Sequence, residues 1–449
     1  MNPVMTVFKA VGCQRPGPVL LCVALLSNAV SASAALTLAE AVAIAQGNDP
    51  WLSGSEFRQQ AVAAQAVAAG TLPDPMMDIG VANLPTDSYD FDQEAMTELM
   101  VGVAQTFPRG DSLALDQQRL QRLEQQFPHQ RAERRARVAV NVTRLWLEAW
   151  RARESIRLIE QDRQLFEQLV DVAESSYAST AGRTRQQDLL RAQLELTRLE
   201  DRLSALHERM EMARSGLGEW LPSSVYGASE LAAQLPEIQL QHAGQFAANS
   251  AATPADIAAM IGNHPVLLSI DSKIDASRVG EDLARQKYWP EWTLNASYGY
   301  RENSPTGQDR ADFFSVGLAF DLPLFTSRRQ DQQLQSAIAE TEAIRTEKML
   351  ALRNMVASFE TQYARLQRLN QRRELYRTRL LKETEAQAEV SLTAYTRDDG
   401  DFAEVVRARI AELNARIEAL DIDIARLQTI TQLNYFFADS TVSATGESL

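Results

Sequence analysis

The sequence predicts a mainly α-helical chain with a small membrane β part, built as two tandem strand–strand–long-helix repeats. Three observations predict it. First, a shift of 215 residues (323 minus 108) carries Pro108 onto Pro323, Pro75 onto Pro290 and Pro50 onto Pro265. The same shift carries Asn48 onto Asn263, Val101 onto Val316 and Gly102 onto Gly317. With 16 prolines in 449 residues, roughly 0.3 proline coincidences are expected at any one shift, and three occur in order. Second, each copy holds a pair of short alternating runs. Third, each pair is followed by long stretches of heptad spacing.

The chain opens on a leader pattern. Lys9 and Arg15 give a basic start, Val19–Val30 an apolar core and Ala32-Ser33-Ala34 a small-residue cleavage site, so residues 1–34 are expected to be removed. A short N-terminal membrane anchor is the competing reading, against which the apolar run is too short for a span. Both cysteines, Cys13 and Cys22, lie in this leader, which leaves the mature chain without thiolate metal ligands or disulfides. Loss of Lys9 and Arg15 leaves 43 basic against 59 acidic residues, a charge of −16. So acidic a chain is not expected to bind nucleic acid or anionic lipid electrostatically. No later stretch approaches 18 consecutive apolar residues, so entry into a membrane would have to use β-strands.

Leu36–Gly70 reads as helix broken near Asn48 by Asp49-Pro50. Its counterpart runs from Ile257 to about Lys287 and breaks at His264-Pro265. The strands follow. Trp292, Leu294, Ala296, Tyr298 and Tyr300 alternate with Thr293, Asn295, Ser297, Gly299 and Arg301. Phe314, Val316, Leu318, Phe320 and Leu322 alternate with Ser315, Gly317, Ala319 and Asp321. The first copy repeats the pattern with Met77, Ile79 and Val81, then Leu99, Val101, Val103 and Phe107. Runs of this length suit tilted membrane-crossing strands with apolar residues out and small or polar ones in. An ordinary soluble hairpin also alternates.

From Asp111 to Tyr177 a continuous helix would be ~100 Å long. Val138, Val142, Leu145, Ala149, Ala152, Ile156, Ile159, Phe166, Val170 and Ala173 keep a 3-4 spacing, with Arg163 the one polar interruption. Pro128 should kink or split its first part. The shifted position, Ala343, has no such break, so Arg329–Leu392 is expected to be straighter. Tight reversals follow at Ser179–Arg185 and Thr396–Phe402. The return helices carry seams of Leu189, Ala192, Leu196, Leu199, Leu203, Leu206, Met210, Ala213 and Leu217, and of Val406, Ile410, Leu413, Ile417, Leu420, Ile424 and Leu427. Each long helix should therefore pair with its return partner as an antiparallel coiled coil. The resulting division is leader 1–34, first repeat 35–220, linker 221–262, second repeat 263–437 and polar tail 438–449.

Four membrane-length strands cannot close a barrel, and an open edge in hydrocarbon leaves backbone groups unpaired. The smallest membrane barrels have about eight strands. The chain must therefore oligomerise, with eight strands in a dimer or twelve in a trimer. A lumen lined by Ser297, Gly299, Gly317 and Ala319 suits a water-filled passage. The helices leave the strands at Pro108 and Pro323, where proline ends ladder hydrogen bonding.

These features resemble the TolC-like outer-membrane efflux factor family. The likeness runs from Leu36-Thr37-Leu38-Ala39-Glu40-Ala41 to Asn434-Tyr435-Phe436. Besides the two repeats and Pro108 and Pro323, it rests on two Tyr-x4-Gly tips, Tyr177–Gly182 and Tyr395–Gly400. It implies a homotrimer forming a 12-stranded outer-membrane β-barrel over a periplasmic α-helical barrel, docked on a periplasmic adaptor and an inner-membrane RND pump. Leu72-Pro73-Asp74-Pro75, Val81-Ala82-Asn83-Leu84-Pro85 and Gln105-Thr106-Phe107-Pro108 look most like the branch paired with heavy-metal cation pumps. Gly182, Arg183 and Thr184, with Gly400, Asp401 and Phe402, match the tip motifs that meet the adaptor. Ala181 and Asp399 stand where the family usually has an apolar residue before the glycine.

No catalytic constellation and no cofactor motif appears, so the chain reads as a conduit and not an enzyme. His129, His207, His242 and His264 lie far apart, without a second ligand at helical spacing, and read as solvated or capping. Met76, Met77, Met96 and Met100 flank the first hairpin, where thioethers could suit Cu(I), but lipid-facing or rim positions are the simpler reading. Asp90 and Asp92 in the first outer loop could attract cations, although outer loops are commonly acidic. Asp398, Asp399, Asp401 and Glu404 crowd the second reversal, and Arg183, Arg185 and Asp188 the first. Threefold symmetry would turn them into charged rings, a periplasmic gate held by salt links. The plainer alternative is a solvated polar turn. The function expected is a passive outer-membrane exit channel of a tripartite efflux system, with heavy-metal cations as cargo. The alternatives are the same duct for drugs or secreted polypeptides, and a soluble periplasmic coiled-coil adaptor.

Overall fold

The computed structural model describes residues 35–178, 186–227, 230–244, 253–397 and 401–439. The leader and most of the polar tail lie outside them.

The duplication is visible in how the helices begin. α1 (Leu38–Gly47) opens with a capping box in which Thr37 and Glu40 satisfy each other's backbone N–H. α2 (Pro50–Ala69) is capped by the Asp49 carboxylate and starts with proline at a position whose N–H has no helical partner. The second copy repeats both devices. A Thr253–Asp256 box opens α7 (Pro254–Ile261), and His264 before Pro265 caps α8 (Pro265–Gln286). Between the copies the described residues include the short α6 (Ser223–Tyr226).

The hairpins are β1 (Met76–Ala82) with β2 (Glu98–Phe107) and β3 (Trp292–Tyr300) with β4 (Phe313–Phe320). After β2 the chain forms α3 (Ser112–Glu124), breaks at Gln125, and continues as the 53-residue α4 (Gln126–Ala178). Pro128 sits in the first turn of α4, where a missing N–H costs nothing, so the chain splits just ahead of it. Arg163, the polar interruption of the stripe, reaches outward to Glu167 at 2.8 Å and Glu200 at 3.5 Å. The return helix is α5 (Gln186–Leu217).

In the second copy α9 (Gln330–Leu375) does not run straight through. It passes through a π turn at Tyr376–Leu380 into α10 (Leu381–Thr396) without leaving the helix, whereas the first copy breaks at Gln125. Proline is one route to a helix irregularity; one inserted residue in the hydrogen-bond ladder is another, and it leaves no single-residue mark. The last helix is α11 (Phe402–Tyr435).

Three apolar clusters hold the helices together. Near the tips, Ile156, Ile159 and Phe166 of α4 meet Leu199, Leu203 and Leu206 of α5 and Val405, Leu413 and Ile417 of α11. Further up, Trp146 and Trp150 pack with α1, Leu217 and Ile424, and their indole N–H groups donate to Leu36 O and Ala232 O at 3.1 Å. The third cluster joins α7 and α8 to Phe359 and Leu366 of α9 and Ile430 and Leu433 of α11. The heptad seam of α11 is therefore not spent on α10 alone. It also packs on α4, so one helix stitches the two copies together. α9 and α10 bury little of their length, and Met349, Leu350, Leu375 and Val390 remain exposed.

Candidate functional site

The four strands form one antiparallel sheet in the order β1-β2-β3-β4, leaving the outer edges of β1 and β4 unpaired. Register sorts the side chains by face. Ile79, Val101, Tyr298 and Phe314 stand in one row, Met77, Val103, Ala296 and Val316 in the next. Phe107, Trp292 and Phe320 close the face at its helical end, with the Trp292 and Phe320 rings 4.8 Å apart. The other face carries Asp78, Gly102, Ser297 and Ser315 in one row, and Ala104, Asn295 and Gly317 in another. Thr106 and Thr293 share a hydroxyl hydrogen bond of 3.2 Å on it.

Among the described residues no helix packs on either face. The apolar face is bare: Phe314 is 72% exposed, and Met77, Ile79, Val316 and Leu318 are similarly open. A face of this kind is far larger than the scattered apolar residues of a soluble surface. The methionines divide between the faces. Met77 belongs to the apolar side, Met76 and Met100 to the polar side, and Met96 lies in the outer loop.

The two prolines Pro108 and Pro323 lie between strand and helix. β2 ends one residue before Pro108, and β4 ends at Phe320, three residues before Pro323. Between them lies a clamp that sequence reasoning missed. Arg109 pairs with Asp321 of the other copy and donates to Trp289 O at 3.1 Å and Lys287 O at 3.3 Å. Asp321 accepts from Glu291 N–H at 2.8 Å, and the Gln286 side chain accepts from Asp111 N–H at 3.2 Å. The clamp ties the exit of β2, the entry of β3 and the exit of β4. Arg109 and Asp111 reach partners 175 to 212 residues away, a separation that leaves no local signal.

At the tips, Asp401 caps α11 by accepting from Ala403 N–H at 3.3 Å, and Glu404 pairs with Arg407 one turn on at 2.8 Å. Phe402 is buried, edge-on to Tyr395 with centroids 5.6 Å apart, so its ring belongs to the tip core. Gly182, Arg183, Thr184, Arg185, Asp398, Asp399 and Gly400 lie outside the described residues, as does the side chain of Asp188.

His264 both caps and is buried. Its Nδ1 accepts from Val266 N–H at 3.3 Å and its Nε2 faces Tyr435 O at 3.1 Å. Burial pushes its pKa down, the carbonyl partly opposing. Tyr435, whose hydroxyl donates to Glu133 at 2.9 Å, has its pKa pushed up to about 12 by burial and by that carboxylate. Among the described residues no cluster of three or more His, Cys, Asp and Glu could hold a metal ion, and no helix is long and apolar enough to cross a membrane.

Residues 257–435 match the family model described as outer membrane efflux protein. No curated protein sequence matches the chain. Among solved structures, that of the CusC channel superposes with a TM-score of 0.70 at 16% identity, covering 96% of this chain and 99% of the other. The outer membrane protein VceC of Vibrio cholerae gives 0.71 at 15% identity, over 90% and 96%. The CmeC outer membrane channel of Campylobacter jejuni gives 0.72 at 12% identity, over 90% and 87%. At such identities the likeness is one of fold. This chain thus shares the fold of these outer-membrane channels along nearly its whole length, and its residues 257–435 are similar to the outer membrane efflux protein family.

Proposed function

We propose that this protein is the passive outer-membrane exit duct of a tripartite efflux system, a homotrimer docked through its helical tips on a periplasmic adaptor and an inner-membrane RND pump. The single observation that carries the reading is the bare four-stranded sheet, apolar on one face and small or polar on the other, with both edges unpaired. In hydrocarbon those edges need partners. Further copies of the chain supply them, and three copies give twelve strands. The polar face then lines a passage, and the exposed apolar side chains of α9 and α10 are available for packing between protomers. Detergent-extracted protein should have the mass of three protomers and form channels in planar bilayers. A monomer without conductance would overturn the reading, and recovery in the soluble periplasmic fraction would favour a coiled-coil adaptor instead.

For the cargo we favour heavy-metal cations, on the strength of the Leu72–Pro75, Val81–Pro85 and Gln105–Pro108 motifs and of the fold shared with CusC. VceC and CmeC share that fold equally, so the cargo needs its own experiment. A deletion strain should become sensitive to a few metal ions only. Sensitivity to drugs and detergents with normal metal tolerance would keep the duct and remove the metal cargo. In the same frame, Asp398, Asp399, Asp401 and Glu404, with Arg183, Arg185 and Asp188, are the charges of the periplasmic gate. Gly182, Arg183, Thr184, Gly400 and Asp401 mark the adaptor contact, from which the buried ring of Phe402 is withdrawn.

A further inference from the structure

Directly under the sheet, where α3, α8 and α9 meet, lies a cavity of about 260 Å³ whose lining includes Arg109, Lys287, Arg329, Asp116, Ser112 and Gln330. Three cations surround it. Arg109 is engaged by Asp321 and Asp116 is engaged by Arg119 at 3.1 Å, whereas the side chains of Lys287 and Arg329 have no ion pair among the described residues. Two helices start at this cavity, α3 at Ser112 and α9 at Gln330, and neither has a side-chain cap. Ser112 N–H is taken by Arg109 O at 3.0 Å, and the remaining first-turn N–H groups and the two helix dipoles favour an anion there. Independently, Gln330 is only 8% exposed and its Oε1 has no hydrogen-bond partner. A buried acceptor without a donor is costly and implies a missing partner.

The surroundings say what the partner is. Lys287 is two residues from Trp289, Arg329 four from Phe325, and Arg109 two from Phe107. These rings are exposed, Phe325 at 88%, as are Leu322 and Leu324 just beyond the end of β4. The cavity therefore sits at the edge of an apolar belt, the depth at which a bilayer places its phosphates. We propose that it binds the headgroup of a membrane phospholipid. The phosphodiester lies against Lys287 and Arg329 and the two helix starts. The headgroup's ammonium or hydroxyl donates to Gln330 Oε1, and the acyl chains run over Trp289, Leu324 and Phe325. This rests on the proposed membrane position of the sheet.

The test uses the full protein purified in mild detergent, stripped of lipid and titrated with dioleoyl phospholipids under native mass spectrometry. Phosphatidylethanolamine should be retained at one molecule per protomer, and phosphatidylcholine, which has no headgroup donor, several-fold more weakly. The Lys287→Ala/Arg329→Ala pair should weaken retention of both lipids at least tenfold. Gln330→Leu should erase the preference for ethanolamine. Unchanged retention in the double variant overturns the site. Equal binding of the two lipids by the unaltered protein overturns the role of Gln330. Displacement by millimolar inorganic phosphate would make it a free-phosphate site and overturn the lipid assignment. An alkaline wash of the membranes separates the two readings. Protein released by the wash sinks the duct and this inference together, whereas protein that stays embedded but shows variant-independent retention sinks this inference alone.

Discussion

At Gly110 the backbone turns with a φ of +46°, and a Cβ there would strike the Gln286 side chain. The left-handed turn favours glycine, and a Cβ would displace the end of the Gln286 side chain that holds Asp111 N–H, so Gly110→Ala should cost about 1 kcal/mol. The midpoint of urea-induced loss of helical signal reads that cost, and an unchanged midpoint would mean the clamp adapts freely. His264 shows the opposite dependence, on protonation. Its neutral form accepts at Nδ1 and donates at Nε2, and a second proton removes the acceptor. Because burial lowers its pKa in the fold, the unfolded chain binds the proton first as pH falls below about 6.5. Stability from this group is therefore present above that pH and is lost as pH falls toward the folded value. His264→Asn, which can still cap, should flatten the melting temperature between pH 7 and pH 5; an unaltered slope would assign the pH dependence elsewhere. The His264-Pro265 break is legible in the sequence. The burial of the ring is not, because Tyr435 arrives from the far end of the chain.

Elements obey their local patterns wherever one partner suffices. Period-two alternation located all four strands, since a sheet has only two faces and each residue must choose one. Leu318 sits mid-strand on the bare face, so Leu318→Arg should cost about 2–4 kcal/mol in the membrane. Heat-resistant protein in the outer-membrane fraction should fall sharply, while Asn295→Ser on the polar face leaves it unchanged. Equal loss from both would refute the assignment of faces. Phe402 illustrates where a pattern misleads. Its place beside Gly400 and Asp401 suggests a surface contact, yet its ring packs among Tyr395, Val405 and Val406. Phe402→Ala should cost about 3–5 kcal/mol through the cavity it leaves, read as a lower thermal midpoint of the helical signal in the absence of any adaptor. The π turn at Tyr376–Leu380 is legible in no single residue; it follows directly on Arg372 and Arg373, which reach Glu418 and Asp423 of α11.

At the scale of the whole molecule, the seams of α5 and α11 and the unpaired sheet edges both ask for partners, but within and beyond the protomer respectively. The proposed gate belongs to this scale, since its charges act as rings only in an assembly. Exposed ion pairs contribute only ~0–1 kcal/mol each, so several must act together. Asp398→Asn, Asp399→Asn and Asp401→Asn combined should raise single-channel conductance in planar bilayers. Asparagine can still cap α11 at position 401, which keeps the fold out of the result. Conductance equal to that of the unaltered protein would remove the gate assignment.

The sequence by itself determined the duplication, through a shift of 215 residues, and also the strand and helix order and the apolar seams. The order and the seams are encoded in periods of two to seven residues, within reach of local sterics and burial. Tertiary structure alone decided that α11 packs across both copies and that Arg109 clamps Asp321. It alone brought Lys287, Arg329 and Gln330 around one cavity. Such contacts join residues tens to hundreds of positions apart, and a side chain's partner at that separation is set by how the helices and strands stack, not by any neighbour in the chain.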